Sequence, residues 1–267
     1  MKKLSIIAVA FAAMTFAACG GNKSAQQAEQ TDSVKSFEQT QIEAKVKMEL
    51  DSLASELGKL KQLPIVQESE NGIKLTDEEK QVKPDYLLSP SAAENAATLA
   101  EKYRVLSALS VDKRIAALYD MPVDEYKAAI SKLVADINDP SFKVMENDDD
   151  IYETGQELYD EMEKNGRINS FWMLVSASLI EEIYVMTQNT EKFITVFDDD
   201  SAANVTYRIA LLGDAVKRLA EYDTDFVPVG EALDALSPLN AISVDQLKAQ
   251  LADTKDKIAE ARAKLVK

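Results

Sequence analysis

From Ser33 to the C-terminal Lys267, apolar residues recur every three or four positions, and no run alternates apolar and polar residues for the length of a strand. That period gathers the apolar side chains of each segment on one face of an α-helix. Only 8 Gly and 7 Pro occur in 267 residues, so few breakers interrupt it. The pattern predicts an all-α fold, a multi-helix bundle of about eight helices.

The outermost segments carry the narrowest stripes. Residues 33–63 are expected to form a long helix that stops at Pro64, with Val46, Leu50, Leu53, Leu57 and Leu60 spaced alternately four and three apart. The last helix, 243–267, opens with Ser243 and Gln246 at capping-box spacing and carries Val244, Leu247, Leu251, Thr254, Ile258, Ala261 and Leu265. Two such heptad seams either pair antiparallel as a coiled coil or lie separately on the central bundle; spacing alone does not choose. Residues 64–85 form an unusually long connection, read as a crossover or as a mobile, protease-sensitive segment.

The central bundle, 86–242, is punctuated more clearly. Ser91 and Glu94 offer a capping box for a helix toward Leu109, and a shorter helix from Val111 to Tyr119 is expected to end before Pro122. Pro122 fits the first position of the next helix, with Pro140 just beyond its end. A further helix spans 151–164, and Gly166 is placed as its C-terminal stop. Segments 168–188 and 202–222 are apolar around most of their circumference and should form the centre. The pairs Tyr103-Arg104 and Tyr207-Arg208, each followed ten residues later by Lys-Arg, hint at internal duplication.

The N-terminus obeys other rules. Met1, Lys2 and Lys3 precede an uncharged run from Leu4 to Ala18, a basic n-region followed by a signal-peptide core. Its fifteen residues are too few to span a bilayer, which takes roughly 20. Residues 1–18 are therefore read as an export signal. The segment Phe16-Ala17-Ala18-Cys19-Gly20 resembles the lipobox of bacterial lipoproteins, although that family usually has Leu where Phe16 stands. The resemblance implies a diacylglycerol on the Cys19 sulfur and an acyl chain on its amine. Several chains make a firm anchor where one holds only marginally. Gly20 after the cysteine is similar to the outer-membrane sorting signal of such lipoproteins, and the body resembles, in style, the all-helical lipoproteins of gut-dwelling Gram-negative bacteria. Residues 19–32 then read as the lipidated cysteine and a polar, flexible tether, and residues 33–267 as a single helical domain.

Charge and missing residue types narrow the chemistry. Removing Lys2 and Lys3 with the signal takes the formal charge from −16 to −18, which repels phosphate backbones and anionic headgroups. No nucleic-acid partner is expected, and the membrane is reached through the anchor. The chain has no histidine and a single cysteine, so His-based catalytic triads and His or thiolate metal sites are excluded. No Gly-rich phosphate loop occurs, and no cofactor is expected.

Carboxylates remain. Asp148-Asp149-Asp150 and Asp198-Asp199-Asp200 both miss the EF-hand pattern, and they read as favourable charge at helix N-termini, with no metal assigned. Glu181 and Glu182 interrupt the most apolar helix. Adjacent residues point about 100° apart, so they cannot both face one substrate. One Glu is expected at the rim. The other is expected to meet an arginine, giving buried ion pairs drawn from Glu181, Glu182, Arg104 and Arg208. Trp172 and the tyrosines at 103, 126, 152, 159, 184 and 207 fall on inner faces and read as core packing. No catalytic residue is assigned. Three functions follow in order: a non-enzymatic interaction or scaffold module held at the envelope, a ligand-binding helical protein, and a carboxylate hydrolase with two carboxyls about 5 to 9.5 Å apart in a cleft.

Overall fold

The computed structural model describes residues 37–66, 72–145 and 155–266. The lipobox with Cys19, the tether, Asp148 to Asp150 and Tyr152 lie outside the described residues. Within them the chain is all-α, with eleven α-helices and no strand. These are α1 (Phe37–Leu57), α2 (Asp77–Gln81), α3 (Ala92–Asn95), α4 (Leu99–Leu118), α5 (Asp124–Ile137), α6 (Gly155–Lys164), α7 (Ile168–Gln188), α8 (Thr190–Phe193), α9 (Asp199–Ala220), α10 (Val227–Leu236) and α11 (Val244–Leu265). The count exceeds the expected eight by three: α2, α3 and α8 are one-turn elements inside connections and α10 starts around Pro228, while two expected helices merge into α4.

The apolar helix α7 is the axis of the bundle. It packs on α4, α11, α9, α10 and α6, and Trp172, Leu174, Val175, Leu179, Ile183, Val185 and Met186 along it are fully buried. Trp172 meets Tyr159 and Phe171 edge to face, with ring centroids 6.2 Å and 5.3 Å away. This is aromatic core packing, which large buried area and edge-to-face geometry both favour.

The terminal helices take separate places. The main contacts of α1 are with α9 and α6, those of α11 with α10 and α7. Leu50 and Leu57 of α1, and Leu247, Leu251, Thr254, Ile258 and Leu265 of α11, turn into the common core. Of the two arrangements left open, antiparallel pairing is thus not the principal contact of either helix. Each stripe finds a wider apolar surface on the central helices than the other narrow seam offers. The first helix also ends at Leu57, short of Pro64, and Arg208 and Asn204 then donate to the Lys61 carbonyl.

Residues 99–118 form one helix instead of two. Its N-cap is Thr98, whose Oγ1 accepts the Glu101 N–H at 3.2 Å while Glu101 accepts the Thr98 N–H at 2.8 Å. The expected Ser91 cap serves only the short α3 and makes no side-chain cap bond. The helix runs unbroken through Ser110, and the Ser107 and Ser110 hydroxyls are satisfied on it by donating back to the carbonyls of Tyr103 and Leu106, at 3.0 and 2.8 Å. Asn138 ends α5 in the left-handed region (φ 52°), and Gly166 follows α6 with φ 70°. In the described parts of the long connection Ile65 and Ile73 are buried, and ion pairs join Lys192 to Glu79 at 2.8 Å and Lys80 to Asp120 at 2.9 Å. Among the described residues, no helix is long and apolar enough to cross a membrane.

Candidate functional site

Glu181 projects from the middle of α7 into a set of charged side chains drawn from three helices. Arg262 of α11 donates to it through two nitrogens, Nε to Oε2 and Nη2 to Oε1, each at 2.8 Å. The fork is bidentate, the geometry that a planar guanidinium offers a carboxylate. Asp112 of α4 completes the set, with Oδ2 3.6 Å from Arg262 Nη2 and accepting the Leu88 N–H at 2.6 Å. The Asp112 and Glu181 side chains are 0% and 1% exposed, and Arg262 is 11% exposed.

Two carboxylates and one guanidinium would leave a net negative charge in a dry interior. The remedy is a proton. Burial, and next the charge of Glu181 within hydrogen-bonding reach, raise the Asp112 carboxyl well above the usual aspartate range, while the Leu88 N–H and Arg262 only partly oppose this. A protonated Asp112 leaves the trio neutral. Tyrosines enclose it. The Arg262 guanidinium lies 4.6 Å from the Tyr184 ring centroid, and the Tyr126 hydroxyl donates to the Leu88 carbonyl at 3.1 Å. Burial pushes the Tyr126 hydroxyl up to about 12 and also raises that of Tyr184, so both stay neutral at ordinary pH.

Several expectations change here. Glu181 and Glu182 are both buried, at 1% and 2% exposure, so neither points to the rim. Helix α7 is surrounded on every side, and a 100° turn only moves a side chain from one buried face to another. The arginine on Glu181 is Arg262, not Arg104 or Arg208. Both of these are buried: Arg104 Nε donates to the Leu265 carbonyl at 3.2 Å, at the end of α11, and Arg208 bonds the Lys61 carbonyl beyond α1 and the Asn204 side-chain Oδ1 at 3.0 Å. Each helps satisfy a carbonyl where a terminal helix has ended, which is where unpaired acceptors accumulate. Tyr103, Tyr126 and Tyr159 are buried, whereas Tyr207 is 43% exposed on α9.

The second acidic triplet is a helix start. Asp198 is the N-cap of α9 and accepts the Ser201 N–H at 2.8 Å and its hydroxyl at 2.6 Å, contacts that lower its carboxyl. Asp199 reaches across to the Val244 N–H at 2.9 Å, at the start of α11. Among the described residues no group of three or more His, Cys, Asp or Glu is arranged to hold a metal ion.

The surface carries a different feature. Between α9 and α10 lies an open groove of about 790 Å³, whose floor includes the buried Ile209, Leu233 and Leu239. Lys217 and Asp214 stand on the α9 rim, Glu231 and Asp234 on the α10 rim. A Cβ placed on Gly213 would find no atom within 4 Å, so the space above it is open. None of Asp112, Glu181 and Arg262 lines this groove. No known protein family, characterised protein or solved structure matches the chain.

Proposed function

We propose that the chain is a membrane-anchored lipoprotein of the bacterial envelope whose helical body is a non-enzymatic interaction or scaffold module. The observation that carries the interaction reading is the α9–α10 groove, concave, apolar at its base and charged at its rim, the combination that helix-in-groove recognition uses. The lipobox-like segment ending in Cys19 supports the anchor, and Gly20 supports sorting to the outer membrane. The protein's concentrated acid chemistry counts against hydrolysis. Asp112 and Glu181 come from different helices, as a hydrolytic pair would, but both are buried against the one guanidinium of Arg262, at 3.6 and 2.8 Å, with no room for substrate. A glycosidase pair needs about 5 to 9.5 Å between carboxyls and room for substrate.

Two measurements on one preparation test the reading. Cys19→Ala should release most of the chain from membranes, and the lipidated protein should recover a partner at stoichiometric yield from solubilised envelope. A Cys19→Ala chain that still fractionates with membranes contradicts the anchor. An empty capture contradicts the interaction module.

A further inference from the structure

We infer that the α9–α10 groove takes an amphipathic helix of a partner protein, cationic along the flank that meets α10. This rests on the interaction-module reading and specifies the surface and the chemistry of what binds there.

Shape sets the first condition. Of the α9 residues that line the groove, Thr206, Ala210, Gly213, Lys217 and Ala220 are spaced four, three, four and three apart and form one stripe along the helix, with Ile209 and Asp214 on either side of it. Opposite them α10 runs ten residues, about 15 Å, enough to lie beside roughly three turns of a third helix. Buried Ile209, Leu233 and Leu239 give that helix an apolar floor, and Val227, 44% exposed at one end, extends it toward solvent.

Charge sets the second. On the α9 rim Asp214 is already bridged to Arg218 at 3.1 Å, and Lys217 stands nearby. On the α10 rim Glu231 and Asp234 are exposed and three residues apart, the separation at which like charges on a helix repel. A cation arriving from outside relieves that repulsion, so the α10 flank selects Lys or Arg. The same charges argue against a second copy as occupant, since each copy carries a formal charge of −16 over the full chain and would bring carboxylates to carboxylates. Anionic lipid headgroups are disfavoured for the same reason.

The test uses the full chain carrying Cys19→Ala, so that acyl chains and detergent do not compete for the probe. The probe is a fluorescent Leu/Lys peptide of about four helical turns, compared by anisotropy with a twin in which Glu replaces Lys. The Leu/Lys peptide should bind, more weakly as salt rises, and its twin should not. Reversing the rim with Glu231→Lys and Asp234→Lys should weaken binding about tenfold. Gly213→Leu, which fills the open space, should abolish it without lowering the melting temperature; the rim reversal at exposed positions keeps the test decisive if that variant folds poorly. Binding that survives both changes, no binding at all, or equal binding of the two peptides overturns the inference. So does self-association of the unliganded chain that Gly213→Leu abolishes, which would make a second copy the occupant. A chain that captures a stoichiometric envelope partner yet ignores the peptide loses this inference and keeps the interaction reading. A chain that stays on membranes without Cys19 loses the anchor and leaves the peptide result intact.

Discussion

Asp112 and Glu181 sit at 0% and 1% side-chain exposure among α4, α7 and α11, while Glu231 and Asp234 stand in solvent beside the α9–α10 groove. The first pair is held by Arg262 and a backbone N–H, and burial raises its Asp112 carboxyl; the second is left for water or a partner. The same side-chain chemistry therefore has opposite uses. Sealed carboxyls fix how three helices meet, because any other arrangement strands a charge in low dielectric. Exposed carboxyls contribute little to folding and much to the choice of what approaches.

The largest effect expected from this difference is at Arg262. Arg262→Met should destabilise the fold by about 3–5 kcal/mol in urea unfolding at neutral pH, because it leaves buried acids without their cation. A loss below about 1 kcal/mol would mean that water reaches the cluster.

Next comes pH. The Asp112 carboxyl is raised by burial and then by Glu181, so the folded chain holds a proton that the unfolded chain gives up in the ordinary aspartate range. The stability due to that proton is fully present below that range and is lost as pH rises toward the folded value, by at most about 1.4 kcal/mol per pH unit. Asp112→Asn keeps an acceptor for Leu88 N–H and a donor for Glu181 but cannot titrate. Its unfolding free energy should lack this decline, and a wild-type slope in the variant would refute the raised Asp112 carboxyl.

The smallest effect is in the groove. Gly213 lies inside α9 with open space above it, so Gly213→Ala should raise stability by about 0.5–1 kcal/mol through helix propensity alone. Destabilisation there would show that the space is not open.

How far the sequence carried the reading depends on where each signal lay. The all-α class, the central place of 168–188 and the inward stripe of the last helix follow from local periodicity, and the folded chain keeps them. Glu181 was legible as a charge inside an apolar helix. Its partner was not, since Arg262 is 81 residues away and only the tertiary approach of α11 joins them. A signal did exist: Arg262 follows Ile258 by four positions, on the buried face of that helix. Asp112 was hidden by the break expected between Leu109 and Val111. In one continuous helix it falls three residues from both Leu109 and Ile115, squarely on the apolar face. The groove was illegible because α10 is a short helix behind a proline, and a concavity depends on the angle at which two helices separate, which periodicity does not encode.

One assay separates the two regions directly: capture of the envelope partner by the lipidated chain carrying Gly213→Leu, beside the lipidated chain carrying Asp112→Asn. Filling the groove should abolish capture, and altering the sealed cluster should leave it intact. Capture that survives Gly213→Leu and is lost with Asp112→Asn, in a chain that remains folded, would contradict this expectation.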